Sequence, residues 1–161
     1  MPYSATIIAY AFVKKGIESG NPVTQMKLQK LIYFAHGLHL ATYNKPLIQE
    51  TFQAWKFGPV VPSVYQDYKL YGSMPIAATD YLFFFKDASV FDKELTLLDN
   101  EAQTSIKITW DALKDTSASR LSNWTHKANS PWTENYEEGV NDTPIPNDEI
   151  KEYFKAHIIK N

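Results

Sequence analysis

The chain contains no cysteine. That absence excludes disulfide staples, thiolate zinc sites and thiol nucleophiles together, and it fits a reducing compartment. Arginine is almost missing as well: Arg120 stands alone, and no run of Lys and Arg forms the basic stripe of a nucleic-acid binder, so direct nucleic-acid contact is not expected. The six glycines are scattered and none precedes a Lys-Ser or Lys-Thr pair, which leaves nucleotide binding through a phosphate loop without local support. No Gly-x-Ser-x-Gly elbow is present either. No apolar run approaches the roughly 18 residues of a membrane span, and Met1-Pro2-Tyr3-Ser4 lacks the basic and apolar regions of a signal peptide. The expectation is a cytoplasmic protein with no membrane partner.

What is present is enough apolar material for a sizeable core: 44% of the 161 residues are hydrophobic, and one domain over residues 1–161 is the expectation. Aromatic residues make up 14% of the chain, and rings serve both cores and protein interfaces. The net charge of −2 hides an asymmetry. Residues 1–80 carry seven Lys and four acids, net +3, while residues 81–161 carry nine basic and fourteen acidic residues, net −5. The acids Glu134, Glu137, Glu138 and Asp142 form either an ordinary solvated surface or a patch that steers a basic partner.

The pattern along the chain predicts a mainly α fold of about five to six helices with a short strand pair. Ile8, Ala11 and Phe12 recur at helical spacing between Tyr3 and about Glu18. Thr24 is placed to cap a second helix carrying Leu28, Leu31, Ile32, Ala35 and Leu38. Met26, Phe34 and Leu40 lie off that stripe, which predicts a helix apolar on more than one side running through the middle of the domain and ending near Tyr43. Thr51 to Phe57 suits a strand, and Gly58-Pro59-Val60-Val61-Pro62 suits a turn in which a cis bond at Pro59 stays open. Further helices are expected from about Ser63 to Leu70, from Asp99 with Ala102, Ile106, Ala112 and Leu113 inward, and from Ala118 to about His126. A last one opens at Asp148 with Ile150, Phe154 and Ile158. Residues 73–91 lack helical period, and Tyr81-Leu82-Phe83-Phe84-Phe85 must be covered, as a core segment or as a partner surface.

His36 and His39 share a helix face at three-residue spacing, but two ligands fall short of the three or four that zinc requires. Hydrogen-bonded histidines are the plainer expectation, and no metal or cofactor is expected. Glu137 and Glu138 are adjacent, so their side chains diverge and suit shared acid-base work poorly. His126 stands in Trp124-Thr125-His126 before a Ser-Pro-Trp turn, where tying a helix end to a loop is commoner than catalysis.

Three blocks carry a resemblance. The first is Lys27-Leu28-Gln29-Lys30-Leu31-Ile32-Tyr33-Phe34-Ala35-His36-Gly37, running on to Pro46-Leu47. The second is Ala54-Trp55-Lys56-Phe57-Gly58-Pro59-Val60-Val61-Pro62 with Tyr65, and the third is Leu121-Ser122-Asn123-Trp124-Thr125-His126 with Ser130-Pro131-Trp132. Together they resemble the Panacea domain, the SocA-like antitoxin family that includes phage-associated proteins, over about residues 5–135. Trp124 departs from the family pattern, which has a smaller apolar residue before the Thr-His pair.

The resemblance implies a helical, non-enzymatic domain that neutralises a cognate protein toxin by direct binding. At least one family member is an adaptor delivering its toxin to a protease, so a protease partner or a prophage regulatory role is the alternative. A metal-dependent or hydrolytic enzyme using His36, His39 or His126 is a third and weaker prospect. Candidate partner-binding residues are Gln29, Lys30, Tyr33, Trp55, Lys56, Phe57, Tyr65, His126 and Trp132, with Gly58 and Pro59 as the structural turn. Each aromatic among them has a core-forming role as its plainer alternative.

Overall fold

The computed structural model describes residues 1–78 and 88–158. The fold is mainly helical with a small three-stranded sheet. Helix α1 (Ala5–Glu18) starts where the Ser4 hydroxyl accepts from the Ile7 amide. Helix α2 (Gln25–Tyr43) starts where Thr24 accepts from the Lys27 amide at 3.2 Å, and it ends on Asn44 in the left-handed region at φ 58°. Both caps satisfy amides that the first turn leaves without a partner. Helix α2 is buried almost all round from Leu28 to Gly37 and packs against helices on several sides, as expected of the central helix.

The chain then forms β1 (Phe52–Trp55) and β2 (Gly58–Val60), joined by a tight turn at Lys56-Phe57. The expected turn over Gly58 to Pro62 is thus corrected: Gly58 to Val60 is strand, paired as Trp55 with Gly58 and Gln53 with Val60. Pro59 is tolerated because β2 is an edge strand, where a missing N–H on the outer side disturbs no ladder. Every described peptide bond is trans. Strand β3 (Pro144–Ile145) pairs with the other edge of β1. Two residues carry too little pattern to betray a strand in sequence.

Pro62 occupies the first turn of α3 (Pro62–Tyr68), and a 3-10 turn over Lys69–Tyr71 ends at Gly72 with φ 58°. Helix α4 (Ala88–Leu95) begins inside the stretch 73–91 expected to lack helical period and runs four residues beyond it. Phe91 is its one buried side chain, against Tyr10 at 5.1 Å, so no apolar stripe announced it. The Tyr81 to Phe85 run lies outside the described residues.

Helix α5 (Asn100–Leu113) starts after Asp99, as expected, with the Asp99 side chain accepting from the Ala102 amide, but Ala112 is exposed. The buried stripe is Ala102, Ser105, Ile106, Thr109, Trp110 and Leu113, and Ala112 sits one residue off it. Helix α6 (Ala118–Thr125) is capped by Ser117. Pro131 opens a further short helix, α7 (Pro131–Asn135), instead of only stopping the previous one. Helix α8 (Asn147–His157) buries Ile150 and Phe154, while Ile158 lies past its end and is 46% exposed, against expectation. No helix among the described residues is long and apolar enough to cross a membrane.

His36 and His39 are buried, and both bolt α2 to its neighbours. The amides of Leu47 and Ile48 donate to His36 Nδ1 at 3.3 and 3.4 Å, so that nitrogen carries a lone pair and Nε2–H donates to Asn147 Oδ1 at 2.9 Å. His39 Nδ1 lies 2.8 Å from Ser105 Oγ on α5. Among the described residues no cluster of three or more His, Asp and Glu side chains could hold a metal ion.

Candidate functional site

The N-terminal half of α2, the β1–β2 hairpin, Tyr65 of α3 and Asn141 enclose a groove of about 470 Å³. Its lining unites six residues that the sequence singled out: Gln29, Lys30, Trp55, Lys56, Phe57 and Tyr65. Trp55 and Tyr65 pack with ring centroids 5.1 Å apart, and Phe57 at the hairpin tip is 60% exposed with Lys56 Nζ 5.7 Å from its ring centre. An exposed ring of this size at a hairpin tip is unlike a core residue and matches the aromatic anchors of protein interfaces.

The hairpin is held from behind. Trp132 Nε1 donates to the Trp55 carbonyl at 2.6 Å, and Ser122 Oγ donates to the Phe57 carbonyl at 2.9 Å. Trp132 is stacked between His126, 3.7 Å away, and Tyr136, 4.5 Å away. Burial lowers the His126 pKa and the nearby Lys30 charge lowers it further, against a hydrogen bond with the Phe57 backbone that raises it. His126 and Trp132 therefore stand behind the hairpin and brace it. Tyr33 is placed elsewhere: it is buried among Phe34, Phe52 and Phe154 on the side of α2 facing α8.

Gln29 is buried and clamps the end of β2. Its Oε1 accepts from the Val61 amide at 2.9 Å while its Nε2 donates to the Val61 carbonyl at 3.3 Å. Gln29→Leu leaves the Val61 amide without a partner, at a cost of about 1–3 kcal/mol, while the Val61 carbonyl still accepts from the Tyr65 amide at 3.1 Å. Urea denaturation should show a loss of about 1–3 kcal/mol, and no measurable loss would mean that water replaces the clamp.

Lys30 lies at the groove floor with 1% of its surface exposed. Burial pulls its pKa from the usual 10.5 down to about 8, so it remains mostly charged at neutral pH. Gly58 makes room for it: a Cβ there would stand 2.6 Å from Lys30 Nζ and 3.0 Å from Thr125 Oγ1, on backbone at φ 119°. This gives the glycine of the Trp-Lys-Phe-Gly-Pro block a steric reason as well as a conformational one. No Asp, Glu or His is among the described residues lining the groove.

Met26, Val60, Ser73 and Asn141 also line the groove without having been singled out as contacts. Met26 had a signal, since it stands off the apolar stripe of α2. Asn141 had none, because only the return of the chain after α7 brings it there.

Residues 28–133, well over half of the chain, match the family described as "Antitoxin SocA-like, Panacea domain". Over 68 residues the chain is 41% identical to the protein named "Antitoxin SocA" of Caulobacter vibrioides (strain NA1000 / CB15N). That alignment covers 42% of this chain and 36% of the relative, so it spans about a third of the relative's length. No solved structure matches. The matched span runs from the first turn of α2 through the hairpin to the Trp132 brace, so the groove is built largely inside it, and the chain belongs to the SocA-like antitoxin, Panacea domain family.

Proposed function

We propose that this chain is an antitoxin that neutralises a protein toxin by direct binding, with the groove and its hairpin tip as the contact face. The observation that carries this is the union, in one braced groove, of an exposed aromatic tip with apolar and polar walls inside the span matched by the family. The groove offers no carboxylate or imidazole among its described lining residues for acid-base chemistry, which favours gripping over bond-making. Its rim is also well suited to a central aromatic anchor, the kind of residue that dominates tight complexes.

Co-expression with the protein encoded beside this chain tests the role: rescue of growth and co-purification are expected. Phe57→Ala and Lys56→Glu alter the tip alone, and because both residues are exposed the melting temperature should hold. Loss of a central aromatic anchor costs about 2 kcal/mol or more, so Phe57→Ala should weaken binding by roughly 30-fold. Full neutralisation by both variants would move the contact face elsewhere. Following the lifetime of the toxin in the same cells separates occlusion, in which it persists, from delivery to a protease, in which it shortens.

A further inference from the structure

Resting on that antitoxin role, we propose that the groove receives an Asp or Glu side chain of the toxin, with its carboxylate seated on the Lys30 ammonium and the adjoining apolar part of the toxin lying against Phe57, Trp55 and Tyr65. Lys30 is among the largest fully buried side chains of the protein. A buried ammonium is costly unless it is paired, and folding normally pairs it. Here the arrangement is inverted. Lys14, Lys45 and Lys107, all partly or well exposed, have the carboxylates of Asp92, Glu101 and Asp111 beside them. Lys30, buried, has no ion pair to any Asp or Glu among the described residues, although the chain has eighteen acidic residues.

The fold also makes room to keep the amine at this spot. Gly58 holds φ 119° with no Cβ, and any side chain there would collide with Lys30 Nζ. A second cation, Lys56, sits on the groove wall, and no acid among the described residues lines it. The groove thus offers positive charge at its floor and rim between apolar walls. It repels a basic anchor and gives a neutral one no means of balancing the ammonium, whereas one carboxylate both pairs the charge and brings an apolar stem into the walls.

Lys30→Met is the decisive variant, because methionine keeps the unbranched length and removes the charge. An unpaired buried charge replaced by a hydrophobe leaves the free protein as stable or more so. The melting temperature should therefore hold or rise, while binding of the protein encoded beside this chain, measured by calorimetry, falls at least tenfold. Lys30→Gln should weaken binding similarly. Changing the toxin's surface Asp and Glu residues singly to Asn and Gln should reveal one that weakens the wild-type complex as much and has no further effect with Lys30→Met. If both Lys30 variants bind within twofold of wild type, the lysine stem is only groove filling and the carboxylate seat is overturned, with the antitoxin role intact. Should either variant fail to fold, the toxin scan against the wild-type chain still decides: no acidic residue with an effect overturns the seat. A wild-type chain that neither binds nor rescues removes the role and the seat together.

Discussion

Replacing Phe154 by alanine is expected to lower stability by about 3–5 kcal/mol, the range for deleting a buried aromatic ring. Phe154 is buried and meets Tyr33 and Phe34 edge to face at 5.6 and 5.8 Å. It is one of only two buried residues on α8, so its loss leaves Ile150 as the one buried apolar side chain of that helix, beside the Asn147 hydrogen bond to His36. A typical domain is stable by about 5–15 kcal/mol, so the change removes a large share of the total. Hydrogen exchange should show α8 opening before the rest, and protection of α8 equal to wild type would mean that other contacts hold it.

Gly37 supplies the other half of this contact. The Phe154 ring lies so close over it that a Cβ would stand 2.4–2.5 Å from three ring carbons. Gly37→Ala gains about 1 kcal/mol of helix propensity in the middle of α2, yet overpacking of this kind costs about 1–3 kcal/mol. Withdrawing the Phe154 ring would break its edge-to-face contacts with Tyr33 and Phe34, so we expect a net loss with alanine and a larger one with valine. A more stable Gly37→Ala protein would show that the ring can withdraw.

Acid should weaken the fold well before the carboxylates titrate. Burial holds the His36 pKa down at about 4; the Asn147 hydrogen bond opposes the shift and the nearby His39 adds to it. Released in the unfolded chain, the imidazole returns to about 6.5. Between those values the unfolded state binds a proton that the native state refuses, so stability is complete above pH 6.5 and falls as pH drops toward 4. At about 1.4 kcal/mol per unit, His36 alone contributes a loss of about 2 kcal/mol at pH 5 and on the order of 3 kcal/mol below pH 4. His39 and His126, also lowered by burial, act in the same direction. The depressed carboxyls of Asp92 and Asp99 titrate at lower pH and leave this window to the histidines.

Urea denaturation at pH 7 and pH 5 should show the fall, and a ring-proton titration should find His36 neutral at pH 5. Equal stability at the two pH values would refute the buried neutral imidazole. His36→Gln should be less stable than wild type at pH 7 but change less between the two. Because Asn147 begins α8, the acid effect and the Phe154 effect converge on the same helix.

The helices with local start signals were legible in the residues themselves. Ser4, Thr24, Asp99 and Ser117 each cap a helix through a side chain that reaches an amide a few positions on, and that chemistry is complete within one turn of chain. The apolar girth of α2 likewise announced its central place. Trp55, Lys56, Phe57 and Tyr65 stand out in the sequence as a group, and the fold gathers all four on one groove. Where a feature depends on a distant partner, nothing local reports it. Helix α4 rests on a single buried ring, β3 exists because β1 offers it an edge, and the β1–β2 turn falls at Lys56-Phe57 because Gly58 and Pro59 can lie on an open edge. Tertiary structure alone decided that Gln29 is spent on the Val61 backbone and that Tyr33 faces the core. It alone also put Lys30 on a groove floor with no carboxylate among the described lining residues. A lysine's burial and its pairing are set by what the rest of the chain brings or fails to bring beside it, and no periodicity within one helix contains that information.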